Sequence, residues 1–179
     1  MMEYIMDFLI LGVIYFAFFF KRWRTKSKDE FLVFNLLYLY ICLVLSVTIM
    51  PFRLPIPGIM GTNNLFLQTI NWIPFRDLLQ NHGNALREIV LNVIMMMPFG
   101  FLIPLVKKRG IICTAMWSFI FSLSIETMQL LYIWADGHVS RTFDVTDLIT
   151  NTLGGTIGYA LYLVFRPITQ KVLAQLRKS

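Results

Sequence analysis

Charge is scarce in this chain. Only 15% of its 179 residues are Asp, Glu, Lys or Arg, against 57% hydrophobic ones. A water-soluble domain carries about 25% charged residues. The shortfall argues against an ordinary soluble domain and for one integral membrane domain covering residues 1–179. Cysteine is almost missing as well. Cys42 and Cys113 fall in different apolar stretches and lack any metal-type spacing, so they offer no basis for a disulfide framework. The chain holds no Gly-rich phosphate loop, no G-x-S-x-G elbow and no H-x-x-x-H or HExxH pair. His82 and His138 stand alone, and no metal or other cofactor is expected. The net charge of +6 comes with no aromatic–basic stripe of the kind that grips nucleic acid, so nucleic acid is not an expected partner.

What the chain has instead is long apolar runs. Five transmembrane helices are expected, over about Ile5–Phe20, Phe31–Met50, Glu88–Val106, Ile111–Trp134 and Asp147–Arg166. Each approaches the ~20 residues a helix needs to cross the hydrocarbon core. The fold class is therefore all-α, a polytopic membrane protein. Twelve of the 16 basic residues fall in segments 21–30, 107–110 and 166–179. The positive-inside rule then places those segments in the cytoplasm with the C-terminus, and the N-terminus outside. Basic residues follow the first apolar run rather than precede it, which fits a retained helix rather than a cleaved signal. The expected location is a membrane, crossed several times, with membrane lipids as partners.

The loop at 51–87 is long and not very polar. Pro51, Pro55, Pro57, Gly58 and Gly61 oppose a regular helix at its start. Leu65, Phe66, Leu67, Ile70, Trp72 and Ile73 supply an apolar surface that is expected to lie in the interface or dip back over the protein, where residues 62–80 would act as a lid. Pro74 suits the first turn of a short helix and Gly83 its end.

Three stretches join a carboxylate to an amide at the end of an apolar span, and ionisable groups there are costly. Glu88 and Asn92, four apart, share a helix face. Glu88 also suits a helix N-terminus capped by Asn84, but Asn92 is a turn deeper and needs a partner. Ser122, Glu126 and Gln129 form a second stripe. An anion near a helix C-terminus is disfavoured, so Glu126 needs a cation or a shared proton, with Arg141, Arg87 or Arg76 as candidates. Arg141, Asp144, Asp147 and Asn151 form the third group. Asp144 and Asp147 have N-cap and N3 spacing, whereas capping does not explain Asn151. In the expected topology all three groups lie at the outer face and line one polar pocket.

Two further features concern packing. Gly154 and Gly158 form a small-xxx-small match beside Gly155, a spacing that lets neighbouring backbones approach. Pro98 sits mid-span in the run Met95–Phe101 and is expected to kink its helix. The Met run reads as adaptable packing.

These residues, taken in order, resemble a known family. Asn71-Trp72-Ile73-Pro74-Phe75 comes first, then Asn92 through Pro98-Phe99-Gly100-Phe101-Leu102-Ile103-Pro104. Ser124-Ile125-Glu126 with Gln129 follows, and then Arg141-Thr142-Phe143-Asp144-Val145-Thr146-Asp147 leading to Asn151, Gly154, Gly155 and Gly158-Tyr159. The series is similar to the successive motifs of VanZ-like proteins, over about residues 71–162. The resemblance implies a bacterial membrane protein of a type associated with resistance to teicoplanin-like lipoglycopeptides. It brings no agreed catalytic residues.

Three functions compete at this point. One is an envelope protein that binds, or alters access to, a lipid-linked or wall-precursor group at the outer leaflet. There Arg141 would engage an anionic headgroup while Glu126, Asp147 and Asn151 shape the site. The second is an intramembrane hydrolase or transferase, with Glu126 and Asp144 or Asp147 split into acid and base. The third is a partner-binding protein whose polar cluster only fixes helix register. A transporter is disfavoured, because five helices show no inverted repeat.

Overall fold

A computed structural model of the chain describes residues 2–52, 66–136 and 142–178. Helix α1 (Met2–Ile14) runs on through a π-helical segment, Tyr15–Phe20, into the single turn α2 (Lys21–Trp23). Then follow α3 (Lys28–Thr48), a 3-10 turn (Phe66–Thr69), the short α4 (Arg76–Leu79), α5 (Ala85–Val106), α6 (Ile111–Asp136) and α7 (Val145–Lys178). Five helices are long and apolar enough to cross a membrane: Glu3–Trp23, Lys28–Thr48, Ala85–Val106, Ile111–Trp134 and Val145–Lys178. They are the five expected, with most boundaries moved by two or three residues and the end of the last by twelve. Helix α5 starts a turn earlier, at Ala85. Helix α7 continues past Arg166, through Pro167, to Lys178. Its 34 residues span about 51 Å at 1.5 Å per residue, well beyond a hydrocarbon core of about 30 Å.

Helices α5, α6 and α7 form the centre, with α3 against α5 and α7, and α1 outermost. Glycine makes the central contact possible. A Cβ on Gly158 would stand 1.9 Å from Met97 O, and one on Gly154 2.3 Å from Val93 O. From the opposite helix, a Cβ on Gly100 would stand 1.8 Å from Gly155 O. Helices α5 and α7 therefore touch backbone to backbone, as the small-residue spacing foretold. Gly155 meets α6, where its absent Cβ leaves room for Ser118 Oγ.

Around this seam the packing is apolar. Val44, Ile49 and Ile125 are buried together against Tyr40, Leu45, Met95 and Phe121. The rings of Phe99 and Phe121 stack at 4.8 Å, and Tyr40 Oη donates to Met95 O at 2.8 Å. Large apolar side chains such as Leu39, Ile112, Phe18 and Val164 face outward, as expected where the solvent is lipid. An apolar hollow of about 590 Å³ beside Pro98, between α3 and α5, is part of that outer surface.

Each end of the bundle is tied by polar contacts. At one end Arg177 of α7 grips Asp29 of α3. At the other, Tyr4 Oη and Asp7 Oδ2 of α1 meet the chain just past α3, at Met50 O and Phe52 N. The 66–84 segment lies at this second end. Pro74 falls in the turn ahead of α4 rather than in its first turn, and Phe75 takes a left-handed conformation (φ 58°) at the N-cap. Gly83 does not end α4. Asn81 does, with φ 51°, a position where asparagine tolerates left-handed backbone. Gly83, at φ 54°, instead makes the turn into α5.

Candidate functional site

The site forms where the N-terminal ends of α5 and α7 meet the C-terminal half of α6. Asp144 starts α7: its Oδ1 accepts from Thr146 N at 2.6 Å, and its main-chain O accepts from Asp147 N at 3.1 Å. This is the N-cap role expected of it. Asp147 occupies N3 but does not reach back to the cap. Its Oδ1 accepts from Asn92 Nδ2 of α5 at 2.7 Å. Asn92 thereby finds the partner its depth demanded.

Helix α6 joins the same cluster. Glu126, 2% exposed, offers Oε2 to Asp144 N at 3.0 Å. A backbone N–H at the head of α7 thus meets the carboxyl group whose charge the end of α6 would disfavour. One turn deeper, Asn151 Nδ2 donates to Ser122 Oγ at 2.9 Å, and Ser122 Oγ donates in turn to Asp147 O at 3.5 Å. Asn151 Oδ1 is buried with no hydrogen-bond partner.

A strap from the 66–84 segment covers this head. Asn71 N donates to Phe143 O and Val145 N to Asn71 O, at 2.8 and 3.1 Å, a short parallel bridge. Asn71 Nδ2 adds a bond of 2.9 Å to Asp144 Oδ2, and Phe75 N donates to Thr146 Oγ1 at 3.0 Å. The strained backbone of Phe75 is held directly against the site. Between strap and helices lies a cleft of about 20 Å³, lined by Asp77, Glu88, Asp144, Thr146 and Asp147 among others. It has room for a water or one small group. Four carboxylates line it, so it attracts cations and hydrogen-bond donors and repels anions. Among the described residues no group of three His, Cys, Asp or Glu side chains is placed to hold a metal.

Of the residues singled out in the sequence, Glu88, Asn92, Ser122, Glu126, Asp144, Asp147 and Asn151 meet here. Gln129 does not. Its Nε2 donates to Thr48 O at 2.9 Å and so satisfies a carbonyl in the last turn of α3. Asn84 stands at the N-cap of α5, but its side chain makes no capping bond. Arg141 and His138 lie outside the described residues. Sequence reasoning missed Asn71, Asp77 and Thr146 as site residues. Asn71 and Thr146 stood within the motifs that carry the family resemblance, and that was the available signal. Asp77 carried none.

A multi-pass membrane protein with this polar head belongs to the VanZ/LLP1 family, whose model matches residues 34–166. The matched stretch holds the whole polar cluster and most of α3, more than the 71–162 read from motifs. Among named relatives, Protein VanZ of Enterococcus faecium is 35% identical over 129 residues, 72% of this chain and 71% of that one. No solved structure matches.

Proposed function

We propose that this protein works at the bacterial envelope, where its polar head faces the outer leaflet. There it binds, or alters access to, a lipid-linked or wall-precursor group, and so lowers susceptibility to teicoplanin-like lipoglycopeptides. The observation that carries the reading is the convergence of Asn92–Asp147, Glu126–Asp144 and Ser122–Asn151 from three helices under one strap. A carboxylate-lined cleft with room for one small group lies beside the three, and it fits a contact with one polar group of a ligand.

The cleft's charge refines the ligand. Its carboxylates suit an ammonium, amide N–H or hydroxyl group of the precursor rather than its phosphate. Arg141, three residues before Asp144, is the candidate for the anionic part. The enzymatic alternative has less support. Glu126 and Asp144 are both engaged with main-chain N–H groups, which suits holding a shape better than exchanging protons with a substrate.

The test is surface binding of a fluorescent teicoplanin-type antibiotic, with vancomycin alongside. It uses a susceptible Gram-positive host expressing wild type, Asp147→Asn, Glu126→Gln or Arg141→Ala at matched membrane levels. Wild type should lower binding of the lipidated drug, and the variants should restore it. Unchanged binding in every strain would remove the resistance reading. Full protection by all three variants would remove the site.

A further inference from the structure

We propose that the opposite end of the molecule carries a second site, which binds the phosphate of an anionic phospholipid. It lies where the extension of α7 crosses the ends of α5 and α3. The polar rim is Lys108, Gln170, Arg177 and Lys178, and the wall includes Leu105 and Leu173, around a pocket of about 330 Å³. Asp29 and Arg177 lie outside residues 34–166, the stretch matched to the family, whereas Leu105 and Lys108 lie inside it.

The geometry of Arg177 is the first argument. It meets Asp29 side-on, through Nε at 3.2 and 3.3 Å and Nη2 at 2.6 Å. Guanidinium has five N–H donors in a rigid fork, and this pairing leaves the Nη1 side for another oxygen anion. The side chain is 65% exposed, against 9% for Asp29. The carboxylate is thus enclosed while the free edge of the guanidinium is open. Charge is the second argument. Three cations line the pocket with one carboxylate, and among the described residues neither Lys108 nor Lys178 has an ion-pair partner.

The apolar wall selects the source of the anion. Lys108 lies two residues past the end of α5, at the membrane boundary, where a lipid phosphate and its first acyl carbons lie side by side. Leu105 and Leu173 fit those carbons, and free phosphate has no use for them. Basic pockets between helices at this depth hold anionic headgroups. A bound headgroup would fasten the extension of α7 to the membrane plane.

The experiment is native mass spectrometry of the purified full chain, released from neutral detergent. It is titrated with dioleoyl phosphatidylglycerol, dioleoyl phosphatidylcholine or inorganic phosphate. Phosphatidylglycerol should bind in preference to both others. Lys108→Gln with Lys178→Gln, which leaves the Asp29–Arg177 pair intact, should weaken it about thirtyfold, as expected for two cations near a surface. Lys21→Gln with Lys171→Gln removes the same charge at the same end but outside the pocket, and should leave binding unchanged. Equal weakening in both double variants would reduce the site to diffuse attraction and overturn the proposal. So would equal affinity for phosphatidylcholine, or competition by inorganic phosphate at comparable concentration. The lipid-free thermal midpoint checks folding, and if the first pair lowers it, Lys178→Gln alone decides by the same criteria.

Discussion

At the scale of single residues, the polar head contains groups that stabilise and one that does not. Glu126 satisfies the N–H of Asp144, whose position at the head of α7 leaves it no helical partner. Glu126→Leu would orphan that N–H, and an unsatisfied buried donor costs about 1–3 kcal/mol. Asn151 differs. Its Nδ2 reaches Ser122, while its Oδ1 is buried without a partner, and the orphan carries a similar penalty. Asn151→Leu keeps much of the volume and removes the penalty, and Ser122 retains Asp147 O as an acceptor. Asn151→Leu should therefore leave the thermal midpoint in detergent unchanged or raised, while Glu126→Leu lowers it. If Asn151 serves the ligand rather than the fold, the stable Asn151→Leu variant should still lose antibiotic protection, since stability is commonly sacrificed at working sites. A leucine variant that protects fully would make Asn151 a packing residue. One that unfolds would show that its single bond to Ser122 outweighs its orphan oxygen.

At the scale of elements, the decisive contact is the seam between α5 and α7. The atoms facing the missing Cβ of Gly100 and Gly158 are main-chain carbonyls, at 1.8 and 1.9 Å, and they cannot swing aside. Gly100→Ala and Gly158→Ala should each force the helices apart and cost about 1–3 kcal/mol, the usual range for overpacking. Gly12→Ala in α1 is the control, because nothing lies within 4 Å of its added Cβ and alanine is the better helix former. Thermal midpoints of the three variants decide the matter, and equal losses would show that the seam can relax. This seam was legible in the sequence because it rests on local spacing within one helix. The five spans were legible for the same reason, as length and composition define them. The strap was not. Its key bond joins Asn71 to Asp144 across 73 positions, and no local pattern announces such a pairing. The divergence of Glu126 and Gln129 was hidden too. Spacing put them on one stripe, yet Glu126 turns to the head of α7 and Gln129 to the end of α3, a choice made by neighbours. The extension of α7 past Pro167 was missed because proline usually ends a helix. Here the carbonyl it leaves unpaired falls near the boundary, where water or headgroups can satisfy it.

At the scale of the whole molecule, the two ends are chemically opposite. The strapped end gathers Asp77, Glu88, Asp144 and Asp147 around its cleft. The other end holds the cations of segments 21–30, 107–110 and the α7 extension, with Asp29 enclosed beneath Arg177. Such asymmetry is how membrane proteins fix their orientation, since basic segments are retained on the cytoplasmic side. It also makes the two proposed sites complementary. A carboxylate-lined cleft suits cationic or donor groups, and a lysine–arginine pocket suits phosphate, so each face would meet a different ligand chemistry. Both readings depend on which end is out, and a direct test exists. In a Cys42→Ala, Cys113→Ala background, Asn81→Cys at the strapped end should react with a membrane-impermeant maleimide on intact cells. Lys171→Cys on the α7 extension should react only after lysis. Both native residues are exposed in the structure, so protection of either cysteine would come from the membrane and not from the fold. The reverse pattern would place the acidic head in the cytoplasm. The head could not then act on an outer-leaflet precursor, whereas the basic pocket would still meet anionic headgroups on the leaflet it faced.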